Sequence, residues 1–407
     1  MGGFAASHHQ AVQKLEERGH ARLVCTCDPR AAQFEVARQN WNFAGRGVAV
    51  VEGYGAMLDA CERELDLVVI PTPINLHAEM HEAVTARGIP AYVEKPPTLD
   101  YAELERMIAA DRRARRASLV GFNFIIEKPR LALKERILRG EFGAVRGATL
   151  SALWPRPASY FFRNEWAGRL MINDRIVLDS CLGNAMAHFV HNMLFWTGSG
   201  ALFSWAQIAA VRAELYRAHA IEGADTFFVE ADTVSGINLR FALSHACAGP
   251  SSHCETVLCE NAVVSYVVGQ HAEIRWADGL TERFATDPFD GLEENHLDYY
   301  RYLRGETSRP ATTLADSAPF VILNDLAYLS SGRIAPVPAA RVSGVREEKE
   351  QKDYLSIAGL AATFDQFLIK GLWPGAGGWE RDASEVVTPA ELGRLPGVIR
   401  GMLRQPS

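Results

Sequence analysis

Short apolar runs alternate with amphipathic stretches over the first third of the chain. Ala21 to Cys27, Val48 to Val51, Leu65 to Ile70, Ile89 to Val93 and Ser118 to Phe122 read as strands. Helical spacing lies between them: up to about Arg18, from the turn Asp28-Pro29-Arg30 to Asn40, from His77 to Arg87, and from Asp100 to about Arg115. Gly88 is placed as a C-cap. Apolar strands, each followed by a helix, predict a parallel sheet covered on both faces.

Beyond Phe122 the rhythm changes. Pro129 to Arg139 reads as a helix closed by Gly140, and Val145 to Trp154 as a strand. The stretch from Leu178 to Asn192 enters a helix that runs to Trp196 and ends at Gly198. Strands are then predicted at Thr226–Glu230, Thr233–Leu243, Glu255–Leu258, Ala262–Val268 and Ala272–Trp276. Alternation from Val234 to Phe241 fits a sheet with one solvated or partnered face. Glu293–Leu303 and Leu314–Leu329 are expected to be helices that return to the first domain. Residues 340–353, with Arg346-Glu347-Glu348-Lys349-Glu350, read as a linker, and Tyr354–Leu372 as a C-terminal helix. The expected division is 1–122, 123–340 and 341–407.

Composition narrows the class. A chain of 407 residues is too long for one ordinary core. A hydrophobic content of 48% with 22% charged residues is that of a soluble globular protein. The net charge of -7 argues against a nucleic-acid partner. The densest basic run, Arg112-Arg113-Ala114-Arg115-Arg116, ends a predicted helix, where cations suit the macrodipole. The seven scattered cysteines are not a disulfide framework. With no apolar run long enough for a membrane span and no signal peptide, the cytoplasm is the expected location.

In a parallel sheet, ligands sit beyond the carboxyl ends of the strands. Gly2-Gly3, Asp28, Thr72-Pro73 and Glu94-Lys95 are the residues there. Gly2, Gly3 and Ala5 match the tail of a G-x-G-x-x-A fingerprint. Asp28 ends the next strand, where a carboxylate can accept from both hydroxyls of a ribose. That favours NAD over NADP, with Arg30 leaving NADP open. The first strand and first fingerprint glycine do not precede Gly2, which points to a start placed too late. Glu94-Lys95-Pro96-Pro97 closes the strand that ends at Val93. Only seven lysines occur among 42 basic residues, so a lysine at this rim suggests a use for a compact ammonium.

Thr72-Pro73-Ile74-Asn75-Leu76-His77, Val93-Glu94-Lys95-Pro96 and Gly121-Phe122-Asn123-Phe124, with the glycine-rich start and Asp28, resemble one family. It is that of glucose–fructose oxidoreductase, inositol dehydrogenase and the rhizopine-catabolism oxidoreductases (Gfo/Idh/MocA). The resemblance implies an α/β Rossmann dinucleotide-binding domain, followed by an α+β domain with a large open, mainly antiparallel sheet. It places Gly2, Gly3, Phe4, Ala5, Asp28, Arg30, Thr72, Pro73, Asn75, His77, Glu94, Lys95 and Asn123 at the cofactor. Lys95 is expected to touch substrate and cofactor, with a cis bond to Pro96. His81, one turn after His77, is expected on the surface.

In the second domain the family pattern has an aspartate four residues before a histidine. Here His188 takes the histidine place and Asn184 the acid's. Histidine is expected to take the hydroxyl proton as hydride leaves the same carbon. Asparagine brings no charge, so His188 is a weaker base unless Asp179 reaches it. Trp154, Arg163, Trp166 and Arg169, in and beside an aromatic loop, suit a polyhydroxylated ligand, joined by Lys95, Asn184 and His188. A metal on Asp179, His188 and His191 is set aside in favour of ordinary helical histidines. The expected function is NAD-dependent hydride transfer at a hydroxyl-bearing carbon of a sugar or cyclitol, in a homo-oligomer paired through the open sheet. The alternatives are an NAD-dependent glycoside hydrolase and a non-catalytic sugar or nucleotide binder.

Overall fold

The computed structural model describes residues 1–286, 289–349, 351–379 and 384–404. The chain opens with α1 (Phe4–Glu17), β1 (Cys25–Cys27), α2 (Glu35–Asn40), β2 (Ala49–Val51), α3 (Tyr54–Cys61) and β3 (Val68–Ile70). It continues with α4 (His77–Thr85), β4 (Ala91–Val93), α5 (Tyr101–Asp111) and β5 (Leu119–Val120). Then come α6 (Lys128–Leu138), β6 (Val145–Leu153), the short pair β7 (Met171–Ile172) and β8 (Arg175–Ile176), and α7 (Ala187–Thr197). A run of strands follows: β9 (Ile208–Arg217), β10 (Thr226–Thr233), β11 (Asn238–Ser244), β12 (Ser252–Cys259), β13 (Ala262–Val267), β14 (His271–Trp276) and β15 (Thr281–Ala285). The chain closes with α8 (Gly291–Leu303), α9 (Leu314–Ser331), β16 (Ile334–Pro336), β17 (Val342–Glu347), β18 (Lys352–Ile357), α10 (Leu360–Lys370) and α11 (Leu395–Leu403).

Two compact units result. One comprises Met1–Thr98, Glu103–Glu127 and Phe289–Ser317; the other Leu99–Ala102, Lys128–Pro288 and Ala318–Ser407. Of the two helices expected to return to the first domain, α8 does so, whereas α9 belongs from Ala318 onward to the second unit.

In the first unit every ladder is parallel, as the alternation of strands and helices predicts. β4 is buried along its whole length, which explains its unbroken apolar sequence. The ladder is split: β1 pairs with β2, and β3-β4-β5 form a separate three-stranded sheet. Among the described residues no strand joins β1 to β3. Tyr92 and Leu119 pack with Tyr299 and Tyr302 of α8.

In the second unit nine strands form one sheet, in the order β15-β14-β13-β12-β6-β11-β10-β9-β16. It is mainly antiparallel, with β11–β6 and β16–β9 parallel. The strand expected over Thr233–Leu243 is interrupted: the chain turns at Gly236, whose φ of 80° suits glycine, so β10 and β11 pair back to back.

The two faces of this sheet differ. One carries Leu150, Phe227, Phe241, Val257 and Val264, all buried, with α7 packed on β6 and β12. The other is covered over only one half. There Phe364 and Phe367 of α10, with Trp373 and Trp379, pack on Tyr216, Phe228 and Ala242. Val263, Ser265 and Val267 remain partly exposed on the other half. The sheet expected to be open is therefore half closed by the chain's own C-terminal part. The expected linker at 340–353 is a hairpin instead, β17 paired with β18. The expected helix from Tyr354 begins only after Gly359, whose φ of 71° sets the turn into α10. No helix among the described residues is long and apolar enough to cross a membrane.

Candidate functional site

β4 delivers the buried run Ala91-Tyr92-Val93 straight into Glu94-Lys95-Pro96-Pro97, at the carboxyl edge of its sheet. Glu94 is itself buried, 6% exposed. Its Oε2 accepts from the Lys95 N–H at 3.1 Å, and its Oε1 accepts from His8 Nε2 at 2.9 Å. A buried carboxylate needs such donors to replace its lost hydration. Gly121 makes the room: a Cβ there would lie 2.8 Å from Glu94 Oε1. The Lys95–Pro96 bond is cis, as expected.

A second ring locks the same rim. His77 Nδ1 lies 3.0 Å from the Pro96 carbonyl, and Nε2 lies 2.9 Å from that of Thr72. Burial pushes its pKa down, and the carbonyls partly offset this. Of the residues expected at a cofactor, His77 thus acts through the turns it ties together, those after β3 and β4. His81 corrects its expectation. It is fully buried, with Nε2 3.2 Å from Asp111 Oδ1 and 3.3 Å from Ser118 Oγ.

Three features fit a dinucleotide. Gly3, at φ 57°, leads into α1, and no side chain caps that helix. Its first-turn N–H groups therefore suit an anion, with Gly2, Gly3, Phe4 and Ala5 forming the approach. Asp28 follows β1 with one oxygen accepting from the Met1 ammonium at 2.6 Å and the other from the Arg30 N–H at 2.9 Å. Burial raises its pKa, but these donors outweigh burial and hold it below the usual range. An ionised carboxylate accepting two donors is the chemistry that a ribose diol requires. Asn123 stands just after β5, and its Oδ1 is buried without a partner among the described residues. Thr72, Pro73 and Asn75 line the loop between β3 and α4.

In the second unit, Leu178 holds a positive φ of 44° although it is bulky and fully buried. Such a backbone is sparsely populated and clusters at functional sites. It turns Asp179 inward, 3% exposed. Asp179 Oδ1 accepts from Asn184 Nδ2 at 2.7 Å, and Oδ2 accepts from the Gly168 N–H at 2.7 Å. Asn184 and His188, expected on one regular helix, belong to two different segments. Residues Cys181–Ala185 make a π turn capped by Ser180, and the α-helix starts only at Ala187. Asp179 and Asn184 are thereby brought together, while His188 sits, half-buried, in the first turn of α7. Sequence spacing alone gives no sign of the extra residue in that turn.

The aromatic loop is a ladder of rings and guanidinium groups. Arg156 lies 5.0 Å from the Trp154 ring and 4.5 Å from Tyr160. Arg163 lies 3.6 Å from Tyr160 and 4.9 Å from Trp166. Trp154, Arg163 and Trp166 thus share one stack, whereas Arg169 pairs instead with Glu222. Arg156 and Tyr160 were missed as site residues, although their alternation with Trp154 and Arg163 was visible. Two more groups lack a local sequence signal. His219 Nδ1 donates to Asp225 Oδ2 at 2.8 Å, and His245 Nδ1 donates to the Trp154 carbonyl at 2.8 Å. Burial holds the His245 ring down to about 3.

Residues 1–122 match the Gfo/Idh/MocA family model, described as an oxidoreductase family with an NAD-binding Rossmann fold. A dTDP-3,4-didehydro-2,6-dideoxy-alpha-D-glucose 3-reductase of Streptomyces violaceoruber is 31% identical over 109 residues, 27% of this chain and 31% of that one. An inositol 2-dehydrogenase of Rhizobium meliloti (strain 1021) is 28% identical over 146 residues, 35% of this chain and 42% of that one. The matched stretch thus spans less than half of either relative. Solved structures align more widely. The WlbA dehydrogenase from Bordetella pertussis, in complex with NADH and UDP-GlcNAcA, aligns with a TM-score of 0.66 at 21% identity, over 81% of this chain and 93% of that one. A levoglucosan dehydrogenase in complex with NADH aligns with a TM-score of 0.68 at 16% identity, over 81% and 95%. At these identities the likeness is one of fold.

Proposed function

We propose that this chain, whose residues 1–122 belong to the Gfo/Idh/MocA oxidoreductases, moves a hydride between a nicotinamide and a hydroxyl-bearing carbon of a sugar or cyclitol. The observation that carries this reading is the Glu94–Lys95 rim, where a buried carboxylate fixes the Lys95 peptide at the carboxyl edge of an NAD-binding domain. NAD supplies the hydride acceptor or donor. Gly2, Gly3, Phe4, Ala5 and the N-terminus of α1 bind its phosphates. Asp28, with Arg30 behind it, takes the adenosine ribose and favours NAD over NADP. Thr72, Pro73, Asn75, Glu94 and Asn123 shape the edge, and His77 braces it.

Lys95 polarises the reacting oxygen through its ammonium. His188 moves the hydroxyl proton. Asn184 and Asp179 hold the turn before His188, with Asp179 accepting from Asn184 and from the Gly168 N–H. Trp154, Arg163 and Trp166 offer ring faces to C–H surfaces and guanidinium groups to oxygens. Assembly of copies uses the half of the large sheet that α10 leaves uncovered. Seven free thiols suit the reducing cytoplasm.

Absorbance at the nicotinamide band tests the reading, with inositols, free hexoses, dTDP-linked sugars and UDP-GlcNAcA as the panel. Turnover of at least one is expected, and Lys95→Ala should lower kcat by about 10²–10⁴. Tight NAD binding without turnover on the whole panel would sink the proposal. Val263→Glu is expected to lower the mass measured by light scattering; an unchanged mass counts against assembly through that face.

A further inference from the structure

Glu94 is one end of a chain of buried rings. His8 Nε2 lies 2.9 Å from Glu94 Oε1, and His8 Nδ1 lies 3.0 Å from His296 Nε2. His296 Nδ1 lies 3.3 Å from the Tyr300 hydroxyl. His8 and His296 are 4% and 0% exposed, while Tyr300 reaches partly to the surface. Phe4 and Tyr92 meet the His8 ring edge-on at 5.5 and 5.2 Å and leave it one plane to occupy.

The acceptors dictate the proton order. An ionised Glu94 only accepts, so His8 carries its proton on Nε2. A neutral His8 then accepts at Nδ1, so His296 also carries its proton on Nε2. His296 Nδ1 in turn accepts, and Tyr300 must donate. Every donor points toward Glu94, and through Glu94 Oε2 the chain ends on the Lys95 peptide.

We propose that Tyr300, His296 and His8 are positioning residues that hold Glu94 on Lys95, and that they reverse as one unit when the chain takes up a proton. This rests, for its catalytic consequence, on Lys95 acting at the reacting centre. Uptake balances as follows. Tyr300 gains a proton from solvent and passes its own to His296 Nδ1. His296 passes its Nε2 proton to His8 Nδ1. His8 then holds two protons and faces the Glu94 carboxylate as an imidazolium, while His296 is still neutral but has changed tautomer. A second proton would set N–H against N–H between the rings, so the pair holds one.

The surroundings agree. Burial, then the neighbouring His8, keep the pKa of His296 well below its ordinary value. Titratable groups beside the chain include Tyr92 on β4, His77 at the start of α4 and His9 on α1, and Lys95 adjoins Glu94. Burial holds Tyr92 protonated and His77 and His9 neutral. Among the described residues, Glu94 is thus the one anion on this chain of rings.

The test is a pH titration of the full-length chain labelled with ¹⁵N-histidine. Long-range ¹H–¹⁵N spectra are assigned by through-space contacts of His8 to Phe4 and Tyr92. Near neutral pH both rings should be Nε2–H tautomers. On acidification His8 should become an imidazolium in the same transition in which His296 switches to Nδ1–H without charging. A His296 that keeps its Nε2 proton throughout, or a His8 found as Nδ1–H, overturns the proposal. These spectra need no turnover, so they decide the proton order even if the oxidoreductase reading fails. If turnover exists, His296→Gln, which still donates to His8 but cannot change tautomer, should shift the acidic limb of kcat and leave substrate KM within about twofold. An unchanged limb overturns the positioning role.

Discussion

Asn184 Nδ2 donates to Asp179 Oδ1 across a π turn, at 2.7 Å, and the Arg163 guanidinium lies 4.0 Å from Asp179 Oδ2. Restoring an acid at 184 therefore does not simply restore a stronger base. Two carboxylates at hydrogen-bond distance cannot both ionise. In Asn184→Asp one of them is expected to hold a proton, with its folded pKa raised above the unfolded value. That contribution is complete below the unfolded pKa and is lost as pH rises through the folded one. The loss of Tm against wild type should be small at pH 4 and larger at pH 8, on the order of 1–3 kcal/mol in stability. A pH-independent difference in thermal melts would contradict the pairing.

Gly121→Ala tests the rim from the opposite side. Its Cβ would lie 2.8 Å from Glu94 Oε1 and 3.1 Å from the Tyr92 ring, and neither neighbour is a free chain end. Glu94 must shift away from His8 or from Lys95. The expected result is a loss of stability of about 1–3 kcal/mol by urea unfolding, with kcat falling more than NAD affinity. Wild-type stability and rate together would show that the carboxylate can move freely.

Arg130 and Glu255 are both fully buried, 2.6 Å apart, with the guanidinium between the Trp196 and Tyr266 rings. Arg130→Met leaves the carboxylate buried without its cation and should cost about 3–5 kcal/mol. Adding Glu255→Leu should recover only part, because Asn192 and Trp196 also donate to Glu255 and would lose their acceptor. Equal unfolding free energies for the single and double variants would contradict this network.

Lys134 points its ammonium at the carbonyls of Phe195, Trp196 and Gly198, at the end of α7. Burial pushes its pKa from 10.5 down to about 7, against the pull of those carbonyls. A lysine depressed in the folded state binds fewer protons there than in the unfolded chain, so stability rises with pH between about 7 and 10.5. Lys134→Met should flatten that part of the Tm profile. A profile of unchanged slope would mean that the ammonium stays charged in the fold.

Much of the site is readable because it is local. Glu94-Lys95 announces itself as a charged pair at the end of an apolar strand, and Asp28 by its place after another. What stays hidden is non-local or one residue out of register. His8 and His296 are 288 positions apart, and nothing near His296 distinguishes it from any polar residue of an amphipathic helix. The π turn inserts one residue where a spacing of four is expected. Residues 342–357 read partly as linker because β17 is exposed along nearly its whole length, so its strands carry no apolar alternation to betray them. The glycine of Gly121-Phe122-Asn123-Phe124 is visible as a motif. Its reason, the carboxylate of Glu94 pressed against it, needs the fold.

The placement of α10 bears on how the chain is made. Phe364, Phe367, Trp373 and Trp379 are synthesised after Tyr216, Phe228 and Ala242, which they cover. A growing polypeptide still attached to the ribosome at residue 350 therefore shows an aromatic face that nothing has covered. Such a face is what chaperones and proteases bind. Chains that stop short of residue 379 should be cleared from the cell rather than accumulate, which makes the covering of the sheet a built-in check that synthesis has passed that residue.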